Sequence, residues 1–139
     1  FRLTNVQAAI GVAQMELLPK FLEKKSKLFN IYKKEINKID GLKIADVPSY
    51  SKNNHWMILL QIDQAKYGKN RESLMKFLSH KGIQTRPAWS PIHLQKPYKK
   101  CQSFLVERTI KLVETSLCLP SSTNISNENI DKVINYLRY

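Results

Sequence analysis

The chain has 139 residues, enough for one core, and its 42% hydrophobic and 24% charged content is ordinary for a globular protein. No apolar run is long enough to span a bilayer and no secretory signal opens the sequence. Two cysteines, Cys101 and Cys118, make neither a disulfide framework nor a metal site, so a reduced, cytoplasmic setting is the simplest reading.

The net charge of +12 admits nucleic acid as a partner, but 18 of the 23 basic residues are Lys, spread along the chain. Lys20, Lys24, Lys25, Lys27, Lys33, Lys34 and Lys38 interleave with Glu23 and Glu35 as on a solvated helix face. Neither a nucleic acid nor a membrane is the expected partner. A phosphorylated small molecule would use the same positive field.

Thr4 and Gln7 form a capping box that opens a helix, and Val6, Ile10, Ala13 and Leu17 give its apolar stripe. Ala8, Ala9, Gly11 and Ala13 are small enough for another element to approach closely, so this helix is expected to be buried. Pro19 predicts a kink or restart near Leu18. A second helix follows to about Lys38, with Phe21, Leu28, Tyr32, Ile36 and Ile39 inward, and Asp40-Gly41 ends it.

Leu42–Ala45 reads as a short edge strand, and Asp46–Asn54 as a polar loop. His55–Asp63 (HWMILLQID) reads as a central strand with both faces covered, Trp56, Ile58, Leu60 and Ile62 sharing one face. Asn70 caps a third helix, Arg71–Lys81, with Leu74, Phe77 and Leu78 inward and Gly82 stopping it. Ile83–Thr85 is a predicted strand. Ser103 opens a fourth helix with Val106, Ile110, Val113 and Leu117 as its stripe, and Cys118–Pro120 is extended. Ser126 caps a last helix that buries Ile130, Val133, Ile134 and Leu137. The sum is an α/β (α+β) arrangement, a small sheet covered by helices with a long helical segment in front.

Between these elements lies IQTRPAWSPIHLQKPYKKCQ, residues 83–102. Pro87, Pro91 and Pro97 rule out a long helix and make it a stiff irregular loop. It offers Arg, Trp, His, Tyr and Lys together, the side chains that hold an anionic, ring-bearing ligand. On residue types alone, His93 reads equally as a loop residue bonded to backbone, and Arg86 equally as half of a surface ion pair. Cys101 reads as a small buried residue, and His80 as a helix C-terminal dipole contact. No Gly-rich phosphate loop, G-x-S-x-G or H-E-x-x-H occurs, and the three His lack metal-ligand spacing. By spacing alone this is a ligand-shaping chain rather than a catalytic one.

Four segments occur in a familiar order: FRLTNVQAAIGVAQMELLPKFLEKK, RESLMKFLSHKGIQTRP, HLQKPYKKC, and LCLPSS with a final amphipathic helix. Over essentially its whole length the chain resembles the C-terminal part of the DegT/DnrJ/EryC1/StrS family of sugar aminotransferases, fold-type I enzymes that use pyridoxal 5'-phosphate (PLP). TRPAW and YKKCQ are most similar to the branch acting on UDP-linked 4-keto-6-deoxy amino sugars, the precursors of legionaminic acid and bacillosamine.

The resemblance implies that residues 1–139 are the small C-terminal domain, with 1–38 as the helical connector from a large PLP-binding domain. The lack of a Met at Phe1 fits a piece of a longer protein, whose Schiff-base Lys would lie upstream. The piece alone is expected to be inactive and, with an apolar helix face uncovered, to self-associate. The resemblance implies a homodimer in which the segment around Arg2 reaches the PLP phosphate of the neighbouring subunit. An Asn that normally precedes this segment is absent. It further implies that His55 and Trp56 and the loop Arg86–Tyr98 flank the pocket for a nucleotide-diphosphate sugar. Arg86 would supply charge, Trp89 a stacking wall and His93 a hydrogen bond, while Tyr98 is either a contact or a core anchor. L-Glutamate is the usual amino donor. The competing readings are a basic nucleic-acid-binding module and a non-catalytic relative of the same fold.

Overall fold

The computed structural model describes residues 2–138; the first and last residues of the expected 1–139 unit, Phe1 and Tyr139, lie outside the described residues. The long opening helix α1 spans Asn5–Ile36, 32 residues, and the Thr4–Gln7 capping box is formed in both directions. Strands β1 (Leu42–Ile44) and β2 (Ile58–Ile62) follow, then the short helix α2 (Gln64–Tyr67) and helix α3 (Arg71–His80). Strand β3 (Arg86–Pro87) leads into two 3₁₀ turns, Ile92–Leu94 and Lys96–Tyr98. Helix α4 (Glu107–Glu114), strand β4 (Ser116–Leu119) and helix α5 (Asn127–Leu137) complete the order.

Among the described residues the four strands form one antiparallel sheet in the order β1-β2-β4-β3. Its register follows from alternation. Ile58, Leu60 and Ile62 point to one face, and their partners Leu119, Leu117 and Leu42 join them there. Helices cover that face: Leu28, Phe29, Tyr32 and Ile36 from α1, Leu74 and Leu78 from α3, and Ile130, Val133, Ile134 and Leu137 from α5 are buried in one cluster with the strands. The mixed helix and sheet class read from the sequence is what the chain forms.

Several expectations are corrected. Pro19 neither ends nor restarts the helix, because α1 runs through it. Pro19 removes one backbone donor on an exposed stretch, where water can take the carbonyl left behind. The first turns of α1 are not buried: Val6, Ile10, Met15 and Leu17 are all exposed, since no other described element reaches a helix about 48 Å long at that end. The helix ends at Ile36 rather than Lys38, because Asn37 turns its side chain to accept from Ile44 N at 2.8 Å. Strand β3 forms at Arg86–Pro87, not Ile83–Thr85, where pairing with Leu117 and Cys118 is available. The fourth helix starts at Glu107 rather than Ser103, and Leu117, expected on its stripe, lies in β4. Leu59 and Gln61 are half-buried, so the second face of β2 is only partly covered.

Gly41 has φ +77°, and a Cβ there would come within 2.4 Å of Tyr67 N and 2.9 Å of Asp63 O. Asp63 caps α2 beside it, and Asp63 N donates to Gly41 O at 2.8 Å. Gly41→Ala therefore meets strain and collision together and is expected to cost about 2–4 kcal/mol, read as a lower urea midpoint with an unchanged slope.

Candidate functional site

The approach to β2 is built from two consecutive side-chain turns. Asn53 Oδ1 accepts from His55 N at 2.7 Å, and Asn54 Oδ1 accepts from Trp56 N at 2.9 Å. His55 takes a φ of 50°, and its ring stacks on Phe29 of α1 at 4.1 Å with planes 20° apart. Trp56 is thereby turned outward. Expected on the core face of the strand, it lies just before β2 and is 63% exposed.

A second route reaches the same place. After β3, Ala88 N donates to Ser116 O at 3.3 Å, which keeps the chain on the edge of β4 as far as Trp89. Trp89, 64% exposed, meets Trp56 with ring centroids 5.3 Å apart and a 37° tilt. Two large rings that touch one another and remain mostly in water form an apolar surface that is ready for a planar partner.

Arg86 is exposed and makes no ion pair among the described residues. It borders a shallow concavity of about 330 Å³ with Met75, Lys76, Ser79, Gln84 and Thr85. In the register it stands opposite Cys118, on the sheet face away from the helix core. Its guanidinium is available for an anion.

The prolines shape the rest of the loop as read. Leu94 N and Gln95 N close the first turn on Pro91 O and Ile92 O, and Tyr98 N closes the second on Gln95 O. His93 Nε2 is buried with no hydrogen-bond partner among the described residues. An imidazole nitrogen held from water without a partner is costly, so the loop carries one unsatisfied polar contact. The backbone-bonded reading of His93 is not what forms. Tyr98 is 46% exposed and so is not a core anchor, and Cys101 is exposed rather than buried. Arg2 is exposed ahead of the Thr4 cap. No ring contact or hydrogen bond among the described residues joins His93, Tyr98 or Arg86 to the tryptophan pair. His80 lies in the last turn of α3 with Nδ1 2.7 Å from Lys76 O, as a helix C-terminal histidine would.

Sequence reading missed Lys25, Phe29, Asn53 and Asn54. The two Asn before His55-Trp56 are a turn signal that was available; the Phe29 and Lys25 contacts cross a long stretch of chain and leave no local trace. A concavity of about 790 Å³ lies beside His55 between α1 (Pro19, Leu22, Ser26, Phe29) and the loop at Asn53 and Asn54.

A PLP site needs a lysine amine aimed into an enclosed space and a cradle for a phosphate. Burial lowers the pKa of Lys25, but its ammonium donates to two backbone carbonyls. Arg2, the proposed phosphate contact, stands exposed at the chain's end. Among the described residues, Lys25 and Arg2 therefore do not make a PLP site by themselves. Among the described residues, no group of three or more His, Cys, Asp or Glu is placed to hold a metal, and no helix is long and apolar enough to cross a membrane.

The sequence profile of the DegT/DnrJ/EryC1/StrS aminotransferase family matches residues 1–138. The chain is 28% identical over 141 residues to EpsN of Bacillus subtilis (strain 168), whose name describes a pyridoxal phosphate-dependent aminotransferase, covering 99% of this chain and 36% of that protein. It is 33% identical over 134 residues to the GDP-perosamine synthase of Escherichia coli O157:H7, covering 94% of this chain and 34% of that one. The crystal structure of DesI in the presence of its TDP-sugar product superposes with a TM-score of 0.84 and 28% identity, over 95% of this chain and 34% of that one. The chain thus spans about a third of the length of the relatives it matches.

Burial on Phe29, then the Lys25 ammonium, hold the His55 pKa below the ordinary histidine value. The fold favours the neutral ring, so the stability this contributes is complete above the unfolded value, about 6.5, and is lost as pH falls through the lower folded value. Urea unfolding from about pH 7 to about pH 5 is expected to fall more steeply for the unsubstituted chain than for His55→Gln. Equal slopes in the two proteins would contradict this.

Proposed function

The chain belongs to the DegT/DnrJ/EryC1/StrS aminotransferase family, and from that premise we propose that it is the small C-terminal domain of a PLP-dependent aminotransferase. The reaction is amino transfer, from an amino acid such as L-glutamate, to the C4 ketone of a nucleotide-linked 4-keto-6-deoxy sugar used in cell-surface glycan synthesis. In this reading residues 1–38 lead in from a large domain, and the lysine that holds PLP lies outside residues 1–139. PLP, when bound there, supplies the electron sink. The protein works as a cytoplasmic homodimer, and Arg2 reaches the neighbouring subunit's cofactor phosphate.

The observation that carries the reading is the meeting of Trp56 and Trp89 from two separate loops, both largely exposed. The pair is a wall for the planar part of the substrate. Arg86 supplies charge for the diphosphate, and His93 a hydrogen bond to the sugar. His55 sets the turn from which Trp56 projects, and Tyr98 lies at the rim. A nucleotide sugar as substrate class is supported by relatives named for a GDP sugar and a TDP sugar. The finer choice, a UDP-linked amino sugar on the way to legionaminic acid or bacillosamine, rests on TRPAW and YKKCQ. A family-wide match supports this reading over a nucleic-acid module, for which dispersed lysines are the only argument.

In the complete enzyme, Arg86→Ala is expected to raise KM for the nucleotide sugar roughly 10- to 100-fold, with KM for the amino donor unchanged. Steady-state kinetics with each substrate varied separately checks this. A rise in the donor KM alone would move Arg86 out of the sugar site. The 139-residue chain mixed with PLP is expected to show no visible absorption band beyond that of free PLP, and the complete enzyme a distinct one.

A further inference from the structure

Lys25 lies in the middle of α1, and its Nζ donates to Trp56 O at 2.8 Å and Ser121 O at 2.5 Å, across sequence separations of 31 and 96 residues. Ser121 Oγ donates to the same Trp56 carbonyl at 3.2 Å. Three segments meet at one ammonium: the helix, the turn before β2 and the chain just after β4. Two turns further along α1, Tyr32 donates its hydroxyl to Pro120 O at 3.1 Å, so the helix grips two successive carbonyls.

A surface lysine normally keeps its ammonium in water while its methylenes lie on the protein. Here the side chain is half-buried and its ammonium is turned onto two backbone carbonyls. Holding α1 on the sheet does not require it, because Leu28, Phe29, Tyr32 and Ile36 already do so. What Lys25 adds is direction. Trp56 is fixed at its amide by Asn54 and at its carbonyl by Lys25 and Ser121. With both ends of the residue held, its ring has a set exit towards Trp89.

We propose that Lys25 is a positioning residue for the Trp56–Trp89 pair, holding the two rings at the separation and tilt in which they meet a substrate ring, without itself touching substrate. The substrate part rests on the reading above; the positioning part does not. These are the two tryptophans of the chain and their centroids are 5.3 Å apart, so near-ultraviolet circular dichroism reports their mutual geometry directly.

Lys25→Met keeps the length and removes charge and donors; Lys25→Arg keeps both. The coupled tryptophan signal, defined by its loss in Trp89→Phe, is expected to fall by at least about half in Lys25→Met with the far-ultraviolet spectrum unchanged. Lys25→Arg is expected to restore it. An unchanged signal in Lys25→Met overturns the proposal. If Lys25→Met does not fold, the unsubstituted chain decides through lysine-selective ¹⁵N NMR. An ammonium resonance slow in exchange and coupled to the Trp56 carbonyl supports the proposal; one exchanging like the surface lysines overturns it. In the complete enzyme, Lys25→Met is expected to raise KM for the nucleotide sugar while kcat and the donor KM hold. A lost tryptophan signal with an unchanged KM supports the positioning and overturns the sugar-nucleotide reading, so the two failures are told apart.

Discussion

Tyr32 is fully buried between α1 and the sheet, and its hydroxyl reaches Pro120 O at the end of β4. Burial pushes its pKa up, so the group stays a neutral donor. This seam fixes where α1 crosses the strands. Leu28, Phe29 and Ile36 pack beside it, and the face they cover is the one on which Ile58, Leu60, Leu117 and Leu119 align. A hydrogen bond of this kind contributes about 1 kcal/mol net, far less than the apolar burial around it. Its value is geometric: it sets the helix at one height on the sheet.

The candidate site follows from that height. Lys25 and Phe29 lie on the same helix stretch, so once Tyr32 is seated they arrive beneath the turn at His55 and Trp56. The antiparallel pairing of β2, β4 and β3 then brings Trp89 alongside. Two loops far apart in sequence are joined at one corner of the sheet by packing that neither loop contains. The Asp46 carboxylate, kept ionised by its bond to Lys33, ties the start of the 46–55 loop to the same helix. Exposed to solvent and screened by it, that pair guides the loop more than it stabilises the fold.

The legible parts of the sequence were those decided by neighbours along the chain. The caps at Thr4, Asn70 and Ser126 formed as read, because each needs only a side chain and an amide three residues away. The inward face of α5 was read residue for residue, since a period of about 3.6 leaves little choice once the helix is known. The prolines of the 83–102 loop correctly excluded a long helix, and two 3₁₀ turns form there instead. Less was legible where competing partners decide. Leu117 fits a helical stripe as well as a strand, and only pairing with Leu60 and Pro87 placed it in β4. Trp56 fits strand alternation, but the two Asn turns ahead of it hold it outside β2, which begins at Ile58.

By itself the sequence determined the class of fold, the capped starts of three helices, the absence of phosphate-loop and zinc-binding motifs, and the family likeness carried by four ordered segments. Local propensity and periodicity are short-range, and they survive being read one window at a time. The tertiary structure alone decided that Trp56 meets Trp89, that His55 stacks on Phe29, that Lys25 spends its donors on Trp56 and Ser121, and that His93 keeps a buried nitrogen unsatisfied. Each of these depends on where distant segments come to rest, and that is fixed by the register of the sheet and the seat of one helix on it.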